Sequence, residues 1–85
     1  MDQQSELVKA QLSGRKRHLH ETMGDLARDI HRSVGIAHAR MAPQYQEELA
    51  LDHFIQALAG TDAGAILTTW RPENLQKAAD TAARW

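Results

Sequence analysis

The sequence predicts an all-helical fold, and three observations carry that prediction. Apolar residues recur at helical spacing, from Met23 through Leu26, Ala27, Ile30 and Val34. Alanine is frequent, and the two prolines sit where one opens a helix and the other ends one. No β-branched run alternates apolar with polar side chains, as a half-buried strand would. At 85 residues the chain is one small domain at most. Aromatic residues are few (Tyr45, Phe54, Trp70 and Trp85), so Leu, Ile, Val, Ala and Met must supply most of the core.

Residues 3–12 form a short helix with Leu7, Val8 and Leu12 on one side, stopped by Gly14. Residues 1–14 are therefore read as an N-terminal arm or short helix, and residues 15–85 as the helical domain. Arg15, Lys16, Arg17 and His18 read as an exposed, extended connector. The stripe from Met23 to Val34 belongs to the next helix, which ends between Gly35 and Ala39. Pro43 opens a helix that runs to Leu58 and stops at Gly60. Thr61 or Asp62 then caps a short helix carrying Ala65, Ile66 and Leu67, broken at Arg71-Pro72. Asn74 caps the last helix, with Leu75, Ala78, Ala79 and Ala82 turned inward. The core is assigned to Met23, Leu26, Ile30, Val34, Leu51, Phe54, Ile55, Leu58, Ile66 and Leu75.

Composition excludes several functions. A net charge of −1 argues against a chain whose main task is to hold a nucleic-acid backbone. With no cysteine there is no disulfide, no thiol chemistry and no cysteine-ligated zinc. No apolar run approaches the roughly 18 residues of a membrane span, and the N-terminus has no apolar signal-peptide core. His18, His20, His31 and His38 lack the spacing and acidic partners of a zinc site, so no metal or other cofactor is expected. Asp62-Ala63-Gly64 lacks the hydroxyl residue of an aspartic-protease motif, Glu47-Glu48 point apart on a helix, and no phosphate loop occurs. An enzyme is not expected.

The helix from Pro43 to Leu58 is the most informative segment because it has two apolar sides. Leu51, Phe54, Ile55 and Leu58 form the core face. Tyr45, Leu49 and His53 lie on the other side, beside Asp52 and Gln56, where a solvated helix would carry Lys, Glu or Arg. A second apolar strip on a surface helix is the mark of a protein contact. The same strip is also explained by the N-terminal arm folding over it, or by a single exposed leucine. If two copies meet there, protonation of His53 below about pH 6.5 is expected to weaken the contact.

Three runs in order resemble one family: residues 21–34 (ETMGDLARDIHRSV), 48–58 (ELALDHFIQAL) and 71–78 (RPENLQKA). They are similar to the capsid C-terminal domain of Gag proteins from gypsy-class LTR retrotransposons, over about residues 12–83. SCAN dimerisation domains and Arc-like Gag-derived lobes are similar too. The resemblance implies four helices preceded by a strand-turn, the major homology region of retroviral capsids. Glu21 matches that region's glutamate, and Met23 and Leu26 match its buried apolar positions. Asp29 stands where the retroviral pattern has arginine, and the Gln-Gly pair is absent, so the retroviral hydrogen-bond network does not carry over intact.

The resemblance also implies a two-fold contact through the second helix of the domain, at a position matching Leu49. The expected function is a capsid assembly module, cytoplasmic within a particle, that pairs with itself through Tyr45, Leu49, Asp52, His53 and Gln56. A SCAN-like dimerisation domain and an Arc-like peptide-binding lobe are the alternatives within the resemblance, and an unrelated bacterial helical protein is the alternative outside it. Arg15, Lys16 and Arg17 are a candidate polyanion contact, with a solvated linker as the simpler reading. Nucleic acid is expected to bind weakly or not at all, and no membrane partner is expected.

Overall fold

The structure, a computed structural model, describes residues 3–84, with side chains from residue 5 onward. Five helices follow in order: α1 (Gln3–Ser13), α2 (Met23–Ala37), α3 (Pro43–Ala57), α4 (Asp62–Thr69) and α5 (Leu75–Ala83). No strand occurs among the described residues, and none of their helices is long and apolar enough to cross a membrane.

Local chemistry sets the helix ends. The Thr22 hydroxyl accepts the Asp25 N–H at 3.0 Å and starts α2. Ala42 has no capping side chain, and Pro43, whose ring fixes a helical φ, starts α3 instead. Gly60 adopts φ +86°, which reverses the chain after α3. Thr61 caps α4 by accepting the Gly64 N–H, and Asn74 caps α5 by accepting the Lys77 N–H.

α2 is the central element and packs against α1, α3 and α5, while α4 closes the far side against α3 and α5. Leu26, Ile30, Val34, Phe54, Leu58 and Leu67 are fully enclosed, and Met23, Leu51 and Leu75 are buried around them. Ile55 is partly buried against the same core. Ile66 does not occupy the core position expected of it: it is half-exposed, and Leu67 takes that place. The reason lies at Gly64, whose Cα lies close against the Leu58 carbonyl. That approach turns Ala63, Gly64 and Leu67 inward and leaves Ile66 about 200° around the helix from Gly64.

The N-terminal segment is a helix joined to this core rather than a loose arm. Val8 and Leu12 are buried in the common cluster, and the Ser5 hydroxyl donates to the Ala37 carbonyl at 2.8 Å. Leu7, expected on the buried side, is exposed, because Val8 and Leu12 set the inner face and Leu7 falls well off it. Residues 1, 2 and 85 lie outside the described residues.

Candidate functional site

The connector between α1 and α2 is the most heavily bonded part of the surface. Arg15 reaches Glu21 Oε2 through Nη2 at 2.5 Å and Asp29 Oδ2 through Nε at 2.9 Å, and Nη1 donates to the Lys16 carbonyl. Its side chain is only 12% exposed and that of Glu21 13%, so the pair is nearly enclosed. The Asp29 carboxylate also takes Arg32 at 2.8 Å. Hydrogen bonding to Arg15 holds the Glu21 carboxyl below its ordinary range, and Arg32, then Arg15, do the same for Asp29. Arg15 is therefore not available as a polyanion contact. Arg17 donates through Nε to the Glu21 carbonyl at 2.7 Å, and Lys16 Nζ lies 3.5 Å from the Gln56 carbonyl. Both stay exposed, as the sequence expects.

The outer face of α3 brings the expected strip together. Tyr45 is 60% exposed and Gln56 is exposed. Leu49 is half-buried and rests on the edge of the core, and Asp52 and His53 are half-exposed beside it. α1 packs on α2 and leaves Tyr45 uncovered. One residue the sequence reading missed joins this face: Arg71 Nη2 lies 2.6 Å from Asp52 Oδ1. A separation of 19 positions gives no local signal for that pair. Trp70, next to Arg71, is 80% exposed. The inner edge of α3 positions α5, since Glu47 Oε1 accepts the Leu75 N–H at 2.9 Å while Oε2 lies 3.9 Å from His31 Nε2.

His53 sits at the margin of the face with its Nδ1 buried and without a hydrogen-bond partner. Burial pushes its pKa below the ordinary 6.5, nearby His38 adds to that, and Asp52 opposes it. A depressed histidine stabilises the fold fully above about pH 6.5, and that contribution falls as the pH drops through the folded-state value. Glu21 and Asp29 add a second loss at lower pH, because their depressed carboxyls contribute fully above the ordinary values of 4.5 and 3.8 and lose that below. Urea titrations at pH 7.5, 5.5 and 3.5 are expected to show stability falling in both steps. His53→Gln is expected to remove only the first.

No group of three or more His, Asp or Glu side chains among the described residues is arranged to hold a metal ion. A groove of about 450 Å³ runs between α2 and α5, floored by Ala27, Leu75 and Ala79 and edged by Arg28 and Asp80. Comparisons of the chain with protein-family models, with curated proteins and with solved structures match none of them.

Proposed function

We propose that this chain is an assembly module of the Gag capsid kind, which pairs with a second copy of itself through the outer face of α3. In this reading it is neither an enzyme nor a cofactor protein, and it works inside a cytoplasmic particle. The observation that carries the reading is the outer strip of α3, where the Tyr45 ring is mostly exposed beside a half-buried Leu49 and the polar Asp52 and Gln56. An isologous contact places each residue near its own symmetry mate, so a charge at its centre would face itself. On this face the Asp52 carboxylate already carries a cation, Arg71. The order of the elements supports the same reading: four helices, α2 to α5, follow a non-helical connector tied to Glu21, in keeping with the plan the resemblance implies. In place of the retroviral network, Arg15 bonds both Glu21 and Asp29.

A contact of about −5 to −8 kcal/mol, micromolar to sub-millimolar, suits a shell held by many such contacts, because misplaced subunits can leave. Tyr45→Glu places two carboxylates opposite each other across the axis and is expected to weaken association by at least about tenfold. Because Tyr45 is mostly exposed, the helical circular-dichroism signal should not change. Leu49→Asp is expected to weaken association too, with some loss of fold stability, since Leu49 also touches the core. Association unchanged by Tyr45→Glu would contradict the assignment of this face.

The α2–α5 groove favours a second reading, an Arc-like lobe that binds an extended peptide. A chain that stays monomeric and takes up peptide would select it.

A further inference from the structure

Leu19 is the most exposed large apolar side chain among the described residues, at 88%, and its backbone is held in place. With His20 it forms the tip of a turn closed by the Glu21 N–H on the His18 carbonyl at 3.1 Å. The Glu21 carboxylate takes the His18 N–H on one oxygen and Arg15 on the other, while its carbonyl takes Arg17 Nε. A tip fixed in this way costs little further order when something binds it.

Leu19 edges a groove of about 560 Å³ between the connector and the junction of α3 with α4. Met23, Ala57, Leu58 and Ala63, whose side chains belong to the core, lie at its floor. Lys16 and Arg17 stand exposed on the Leu19 side. Among the described residues both bond backbone carbonyls, of Gln56 and Glu21, and neither meets a carboxylate. Across the groove lies the start of α4, the positive end of its dipole, where Asp62 is the one carboxylate among the described lining residues.

These features choose between occupants. Two permanent cations facing one carboxylate are too few for a nucleic-acid backbone, whose binding grows with each phosphate neutralised. A flat lipid surface would meet Leu19 and leave the groove unused. A peptide carrying an apolar side chain among carboxylates fits both the apolar edge and the uncompensated cations.

We infer that the groove beside the 18–21 turn binds a short acidic segment of another protein, with one apolar side chain on Leu19 and its carboxylates on Lys16 and Arg17. The inference does not rest on the self-association reading, since this site uses none of Tyr45, Leu49, Asp52 and His53.

The test titrates a capped pentapeptide, Asp-Glu-Leu-Glu-Asp, into the labelled whole chain at pH 7.0 and follows the backbone amide signals by NMR. Saturable shifts centred on residues 16–19 and 57–63 are expected, with a dissociation constant of about 0.1 to 1 millimolar. Leu19→Ser, and Lys16→Gln combined with Arg17→Gln, are each expected to weaken binding at least about fivefold. Asp62→Asn removes a like charge facing the peptide and is expected to tighten binding about twofold. The side chain of Leu19 is almost wholly exposed, so Leu19→Ser should keep the helical signal of the parent. Absence of saturable shifts overturns the inference, as do shifts centred on the α2–α5 groove at residues 24–31 and 75–83. Binding unchanged by Leu19→Ser overturns it too, and so does equal or tighter binding of a uridine pentanucleotide at the same residues.

Discussion

Gly64→Ala is expected to remove about 3 kcal/mol of stability, a large share of what so small a domain has. A Cβ at this position would run into the Leu58 carbonyl oxygen and lie 2.7 Å from its carbon. Both are backbone atoms at the end of α3, so no side chain can turn aside to make room. The same oxygen accepts the Thr61 hydroxyl at 2.6 Å and the Thr61 N–H at 3.1 Å. Moving α4 outward to make space therefore strains the cap that starts the helix and lifts Leu67 out of the core. Gly35→Ala is the natural comparison. It lies inside α2 with nothing within 4 Å of a new Cβ, and alanine there is expected to add up to about 1 kcal/mol. Thermal unfolding at low protein concentration, where association contributes least, should show the two melting points moving in opposite directions. Equal shifts would contradict the packing described for α4.

Arg15→Met is expected to cost about 2–3 kcal/mol. The guanidinium bridges Glu21 in the connector and Asp29 on α2, and so fixes the path by which α1 reaches the core. Removing it leaves the nearly enclosed Glu21 carboxylate without its cation, whereas Asp29 keeps Arg32. Arg15→Lys should recover only part of the loss, because one ammonium cannot reproduce two bonds in a planar fork. The pH dependence supplies a second readout. With the guanidinium gone, the Glu21 pKa should rise toward its ordinary value, and the part of the stability that Glu21 loses on acidification below about pH 4.5 should shrink. An Arg15→Met variant with unchanged midpoint and unchanged acid limb would show the bridge to be a solvated surface pair.

The helices were legible because their signals are local. The Met23–Val34 stripe, Pro43, Asn74 and the Arg71-Pro72 break each act within a turn or two of chain, and α2, α3 and α5 begin and end close to where those signals place them. Thr22, with Asp25 three residues on, also marks the start of α2, a local signal that the sequence reading missed. What else escaped was decided by tertiary contact. α4 is apolar on several sides, so periodicity alone could not choose between Ile66 and Leu67, and the close approach of Gly64 to Leu58 made the choice. Arg15 read as a free cation because its acceptors are 6 and 14 residues away and come together only when the connector folds. The strip on α3 was readable as a face, but its ion pair with Arg71 depends on how α4 and α5 pack.

The central claim is that this chain pairs with itself, and sedimentation velocity across about 5 to 500 micromolar at pH 7.5 tests it most directly. A reversible shift from monomer to dimer within that range, lost on Tyr45→Glu, is the predicted result. A single monomeric species at every concentration would contradict it.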